Sequence, residues 1–311
     1  MTAVETFDLC KQYKQTLAVD HISLHIPQGV KCGFLGKNGA GKTSTIKMLT
    51  GLKKPTSGSF TILGEAQAFG TRNKAIGYLP DVPNFYDYMT GAEFLDLCGR
   101  LYQIPTPQRE GQVQTLLQQV GLDRTKTRIA TYSRGMKQRL GIAQAMINRP
   151  AIIFMDEPIS ALDPTGRREV MDVVQSLRDT TVVFSTHILA DVEDICDYIL
   201  IIEKGRILAQ DSLAALQAKH ARNMVKVSLY EPAHLVKLQQ ALLQFKGLAV
   251  MEAAPLELHV SSNLGNTTVI SKMVTYALAA NKLPLKSYTV HAPTLEEIFH
   301  TTIRQGGGDH A

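Results

Sequence analysis

The chain has 311 residues, 44% of them hydrophobic and 20% charged, enough to bury a sizeable core as one large or two ordinary folded domains. Its net charge of +5 comes from 33 basic and 28 acidic residues spread without a run of one sign, which argues against a dedicated nucleic-acid surface, so no nucleic-acid partner is expected. Cys10, Cys32, Cys98 and Cys196 lie far apart, so neither a zinc knuckle nor a disulfide framework is suggested and a reducing cytoplasm is the expected home.

No stretch approaches the roughly 18 consecutive apolar residues of a membrane span. The opening Met-Thr-Ala-Val-Glu-Thr-Phe-Asp lacks the basic start and apolar run of a secretory leader. Any membrane attachment is therefore expected to come through a partner.

The first 30 residues alternate apolar and polar positions, as in His21-Ile22-Ser23-Leu24-His25-Ile26, and end in a Pro27-Gln28-Gly29 turn, the pattern of antiparallel strands. Residues 30–35 then read as a short apolar strand, 36–41 as a glycine-rich loop and 42–50 as a helix closed by Gly51. From about 89 to 148 the periodicity is helical, and Met136, Leu140, Ala143 and Ile147 share one face that can pack on a core. Apolar strands at 151–155, 181–185 and 198–202, with a helix at 164–178, imply a parallel sheet with crossovers.

A hairpin through Glu203-Lys204-Gly205-Arg206 into 207–210 ends the first domain, set at residues 1–217 with a helical subdomain at about 89–148. Beyond it come a strand (225–230), a helix (233–245), two strands (248–252 and 256–260), a helix (266–280) and a strand (286–291). That βαββαβ order predicts a small α+β ferredoxin-like domain at residues 218–293. Thr294 and Glu297 form a capping box that predicts a short helix, and Gly306-Gly307-Gly308 predicts a disordered tail, together spanning 294–311.

Gly36-Lys37-Asn38-Gly39-Ala40-Gly41-Lys42-Thr43 satisfies the P-loop pattern, and it sits between a predicted strand and a predicted helix as the pattern requires. Glycines allow dihedrals that turn successive amides inward, making an anion nest at a helix N-terminus. Lys42 would neutralise phosphate charge, Thr43 would ligate magnesium, and Ser44 is a further donor. The competing reading, a glycine-rich turn that merely precedes a helix, requires a string that arises by chance in on the order of one chain per thousand of this length.

Hydrolysis also needs a metal-organising carboxylate and a group that orients water. Ile152-Ile153-Phe154-Met155-Asp156-Glu157 is an apolar strand ending in two acids, where Asp156 would hold the magnesium shell and Glu157 would act as general base. Acids after strands are also common in plain surface loops.

Together these motifs resemble the nucleotide-binding subunits of ABC transporters over about the first 210 residues. The resemblance implies an α/β P-loop NTPase domain of the ABC ATPase type, with a mixed sheet, an antiparallel β subdomain and a helical subdomain, binding ATP and Mg2+. Tyr132-Ser133-Arg134-Gly135-Met136 resembles the family's Leu-Ser-Gly-Gly-Gln signature, which implies that Ser133 and Gly135 meet the γ-phosphate held by the opposite subunit. By the same resemblance, Asp163 in Ser160-Ala161-Leu162-Asp163 lies on the loop that crosses the dimer interface, His187 is the switch histidine, and Tyr13 stacks on adenine. The implied assembly is a homodimer on the inner face of the cell membrane, held there by separately encoded permease subunits.

Two positions depart from the pattern. Asp81 stands where the family commonly has a magnesium-reaching glutamine; it is shorter but can still ligate the metal. Arg134 and Met136 replace a glycine and a glutamine, and Arg134 either adds charge at the γ-phosphate or faces solvent. The tail, Pro293-Thr294-Leu295-Glu296-Glu297-Ile298-Phe299 after the βαββαβ stretch, is similar to the extension of ATPases serving ABC-2-type exporters. It is either a stabilising appendage or a regulatory, dimer-supporting one. The rivals to an export ATPase are a soluble relative acting on DNA ends or ribosomes, and a nucleotide-gated regulator without turnover. The coiled-coil insert or second cassette of the soluble relatives is not in this sequence.

Overall fold

The computed structural model describes residues 1–71, 73–124, 126–220, 224–262, 267–290 and 293–306. The helix and strand ends expected at 266 and 291 fall outside these residues, as does the glycine tail beyond Gly306. The chain divides into two compact units, Met1–Leu213 with Phe299–Ala311, and Ala214–Ile298.

In the first unit the opening alternation becomes β1 (Thr2–Tyr13), paired antiparallel with β2 (Thr16–Ile22) and β3 (His25–Pro27). β4 (Lys31–Leu35) is buried along its whole length and runs into the glycine loop and α1 (Lys42–Leu49). β5 (Ser57–Ile62) and β6 (Glu65–Ala66) return to the first sheet, in the order β2-β1-β5-β6. After β7 (Ile76–Leu79) the chain enters its helical part: α2 (Gly91–Leu101), α3 (Thr106–Gln119), a 3-10 turn (Ile129–Thr131) and α4 (Arg134–Met146). It then continues through β8 (Ile152–Met155), α5 (Pro164–Ser176), β9 (Thr181–Thr186), α6 (Ala190–Glu193), β10 (Tyr198–Glu203) and β11 (Arg206–Ser212), after which α7 (Leu213–His220) opens the second unit.

The second sheet has the order β11-β10-β4-β9-β8-β7, parallel throughout except for β11 at its edge. β4, β8 and β9 are buried on both faces and therefore read as continuous apolar runs rather than alternations. One core joins the two sheets: Val4, Leu9, Ile22 and Ile26 from the antiparallel strands pack with Phe34, Phe154, Val183 and Leu200, and Ile46 and Met48 bring α1 into the same cluster.

Sequence reading passed over β5, β6 and β7. β5 opens on Ser57-Gly58-Ser59, with no apolar repeat, and Gly58 is there because a Cβ would lie 2.3 Å from the Asp8 carbonyl oxygen. β7 carries Gly77, where a Cβ would lie 2.3 Å from the Ala145 oxygen, so the strand and α4 approach backbone to backbone. The helical region is a set of separate helices beginning at Gly91, and α2 starts with a complete Thr90–Glu93 capping box. On α4 the expected inward face holds, with Leu140, Ala143 and Ile147 fully buried and Met136 partly so.

The second unit contains β12 (Met224–Leu229), α8 (Pro232–Leu242), β13 (Leu248–Ala254), β14 (Glu257–Ser262), α9 (Thr267–Ala280) and β15 (Leu285–Val290). Its sheet is antiparallel in the order β13-β14-β12-β15, the ferredoxin-like arrangement, with Val225, Val227, Leu258 and Val260 packed on Leu238, Leu242, Ile270 and Val274. α10 (Leu295–Gly306) begins at the expected capping box: Thr294 N–H donates to Glu297 Oε2 at 3.0 Å and Glu297 N–H to Thr294 Oγ1 at 3.3 Å. It runs for 12 residues, longer than the short helix expected.

Gly77→Ala should destabilise the first unit by about 1–3 kcal/mol, the usual range for overpacking, because the clashing atom is the Ala145 main-chain oxygen, which cannot yield cheaply. A lowered urea midpoint in circular dichroism is the expected result.

Candidate functional site

The site begins where β4, fixed between β10 and β9, releases the chain at Gly36. A Cβ at Gly36 would lie 2.5 Å from the Ile202 oxygen, and one at Gly41 would lie 2.6 Å from the Ala18 oxygen. The loop is thus wedged against β10 and β2 with room for backbone alone. Gly39 and Gly41 take φ of 82° and 113°, and Gly41 caps α1 without any side-chain hydrogen bond. Helix geometry leaves the amides of Lys42, Thr43 and Ser44 without intrahelical acceptors, so an uncapped positive helix end faces the loop. Lys37, Asn38 and Gly39 are exposed, whereas Ala40 is buried and its oxygen accepts from Gly205 N–H at 2.9 Å.

Lys42 is only 5% exposed, and its ammonium donates to the Gly36 oxygen at 2.6 Å and lies 3.2 Å from Glu157 Oε1. The other carboxylate oxygen of Glu157 sits 3.0 Å from His187 Nδ1. A cation and an imidazole therefore hold the two oxygens of one acid. Glu157 has φ of 49°, a left-handed conformation that costs a non-glycine residue on the order of 1–3 kcal/mol, and its N–H is anchored by Ser185 Oγ at 2.9 Å.

That same Ser185 hydroxyl donates to Asp156 Oδ1 at 2.8 Å, and Thr43 Oγ1 donates to the same oxygen at 2.9 Å. Asp156 is 2% exposed, and its N–H donates to the Leu79 oxygen at 2.8 Å. The ends of β4, β9 and β8 thus bring together Lys42, Thr43, Ser185, His187, Asp156 and Glu157. Ser185 carried no sequence signal of its own: it is one polar residue at the end of an apolar strand, and only the sheet order puts it beside two acids.

The remaining expected residues lie on other elements. Ser133 is the N-cap of α4, its Oγ accepting from Met136 N–H at 3.2 Å, and Gly135 lies in the first turn. Asp163 caps α5 by accepting from Gly166 N–H at 3.2 Å. Tyr13 is 38% exposed, with Lys11 Nζ 5.2 Å from its ring centroid. Asp81 does not join the Thr43–Asp156–Ser185 group; its carboxylate faces Arg134, with Oδ1 3.9 Å from Nη2.

The residues present fit a magnesium nucleotide. An uncapped helix end and a buried ammonium suit an anionic phosphate, while Thr43 Oγ1 and Asp156 Oδ1 are adjacent hard oxygen donors of the kind magnesium selects. A different donor group, Cys10, Asp20 and His21, has ligand atoms within 4.8 Å of one another. Its carboxylate is already engaged by His21 Nδ1 at 2.8 Å and Arg206 Nε at 2.5 Å, which hold Asp20 below the usual carboxylate range. Cys10 Sγ accepts the His21 N–H at 3.1 Å, so this cluster braces the irregular β1–β2 register.

Comparison with known proteins places this geometry among relatives. The sequence profile described as ABC transporter matches residues 19–160. An uncharacterized ABC transporter ATP-binding protein of Bacillus subtilis, YxlF, is 42% identical over 74% of this chain and 77% of its own length. The bacitracin transport ATP-binding protein BcrA of Bacillus licheniformis is 34% identical over 99% of this chain and 98% of its own. A solved ATP-binding subunit of an ABC transporter superposes with a TM-score of 0.62 at 30% identity, covering 70% of this chain and 92% of that one.

Tyr78, on β7, gives the site a pH signature. Its buried hydroxyl has no hydrogen-bond partner among the described residues, and burial, followed by the nearby charges of Asp156 and Asp81, pushes its pKa up to about 12. Unfolded tyrosine ionises near 10, so between pH 10 and about 12 the unfolded chain holds fewer protons than the folded one, and stability contributed below pH 10 is lost as pH rises through that window. Tyr78→Phe should reduce this alkaline loss, read as a smaller drop in urea midpoint between pH 9.5 and about 11.5 than the parent shows.

Proposed function

The chain belongs to the ABC transporter ATP-binding proteins and is an ATPase, and from that premise we propose that two copies close head to tail around two nucleotides to drive separately encoded membrane subunits of exporter type. The observation that carries this reading is the contact chain Lys42–Glu157–His187 beside the phosphate loop. It joins the anion cradle to a candidate base.

In the proposed cycle the loop amides and Lys42 grip the terminal phosphates. Lys42 then exchanges the Glu157 carboxylate for phosphate oxygen. Glu157, still oriented by His187 and by the Ser185 anchor on its amide, is free to accept a proton from the attacking water. Thr43 and Asp156 would hold magnesium, which when bound would neutralise charge on the phosphate oxygens. Tyr13 supplies an exposed ring for the adenine. One chain carries one phosphate loop and one signature helix, so the Ser133–Gly135 end of α4 and the Asp163 loop act on the nucleotide of the second copy.

Two further observations support the transport role. No helix of the described residues is long and apolar enough to cross a membrane, which fits a peripheral subunit at the inner membrane face. On the segment between β7 and α2, Val82, Tyr86 and Tyr88 are 63%, 52% and 66% exposed, an apolar surface of the kind a partner covers. The exporter assignment draws on the tail's resemblance to the extensions of ABC-2-type ATPases, and the likeness to the bacitracin transport protein, which runs through the second unit as well as the first, supports a transport role.

Glu157→Gln should bind Mg·ATP, lose about 10²–10⁴-fold in turnover and accumulate as a dimer, as removal of a general base predicts. Phosphate release and sedimentation measure the two effects, and equal rates in variant and parent would remove Glu157 from the mechanism. Lys42→Ala should weaken nucleotide binding in calorimetry; unchanged affinity would contradict its phosphate role.

A further inference from the structure

Asp81 and Arg134 both depart from the family pattern, and the structure sets them against each other, Oδ1 to Nη2, at 3.9 Å. Packing fixes their supports. Gln138, 1% exposed on α4, donates from Nε2 to the main-chain oxygen of Asp81 at 2.9 Å. Gly141, one turn on, lets the helix close against the same segment: a Cβ there would lie 2.5 Å from Leu79 Cδ1 and 3.4 Å from Pro83 Cβ. A second ion pair, Lys137 Nζ to Asp87 Oδ1 at 3.5 Å, joins the same two elements.

A helix N-terminus is electropositive and favours acids in its first turn, yet α4 has none there and begins with Arg134. Asp81 supplies the missing counter-charge from outside the helix. An anion docking at this helix end would meet Arg134 directly and would make Asp81 redundant and repulsive.

We propose that Asp81 is a positioning residue for Arg134 that occupies, in the single chain, the place the partner copy's γ-phosphate takes in the closed pair, and that Arg134 then becomes an additional phosphate ligand in trans. This rests on the two-copy reading above. Both side chains are about half exposed, 48% and 50%, so the resting pair is weak enough to exchange for a multiply charged phosphate. The expectation that Asp81 ligates magnesium is thereby replaced: the metal-side oxygens are those of Thr43 and Asp156, which Ser185 gathers without it.

The test uses the full-length Glu157→Gln protein, with sedimentation reporting the Mg·ATP concentration at half-maximal dimer. Arg134→Gln should raise that concentration about tenfold, the scale of one charge-assisted hydrogen bond. Asp81→Asn should lower it about threefold, the scale of an exposed pair, and should have no effect in the Arg134→Gln background. The magnesium concentration for half-maximal nucleotide binding should stay the same in Asp81→Asn. An unchanged midpoint in Arg134→Gln overturns the proposal. So does an Asp81→Asn effect that is equal in both backgrounds and accompanied by weakened magnesium dependence, since Asp81 would then serve the metal. A parent that stays single at saturating Mg·ATP removes the pairing itself, whereas a parent that pairs without regard to residue 134 removes only this inference.

Discussion

Holding a buried ammonium next to a carboxylate at the mouth of a parallel sheet is the constraint to which the first unit answers. Lys42 is nearly sealed from water, and an unpaired charge there would cost several kcal/mol. The Gly36 and Lys37 oxygens and Glu157 meet that need in the resting chain. The same arrangement keeps the cation available, because each of these partners is an acceptor that a phosphate can replace. The sheet order follows from this: β9 must lie between β4 and β8 for Ser185 to reach both Asp156 and the Glu157 amide.

Glu157 shows how local strain is carried by the surroundings. A left-handed glutamate is unfavourable in isolation, yet here its amide is fixed by Ser185 and its two oxygens by Lys42 and His187. The backbone bend points the acid back over the loop rather than onward along β8. Asp156, one residue earlier, stays in the strand direction and is fully buried. Two adjacent acids thus receive different environments from one turn of the main chain.

Much of this was legible from sequence because the signals were local. The phosphate loop is a contiguous string, the two acids end an apolar run, and the second unit's elements follow in an order that names its fold. What escaped was set by distant neighbours. β7 could not be read as a strand because Gly77 breaks the apolar pattern, and the reason for that glycine lies in α4, far along the chain. Ser185 gained its role only through strand order. The Asp81–Arg134 contact left no trace in the sequence, because the whole helical region separates the two residues and no periodicity links them.

The loop proposed to cradle the anion offers main chain, and its first and last glycines, Gly36 and Gly41, are pressed against the Ile202 and Ala18 carbonyls with no space for a side chain. Its shape is consequently dictated by the sheet and hairpin behind it rather than by its own exposed residues. Lys37 and Asn38 can drift without altering the curvature of the backbone. A change that shifts β10 or β2 by a few tenths of an ångström, in contrast, would be felt directly by every amide in the cradle, so the determinants of how tightly this protein grasps its fuel extend into strands that never touch it.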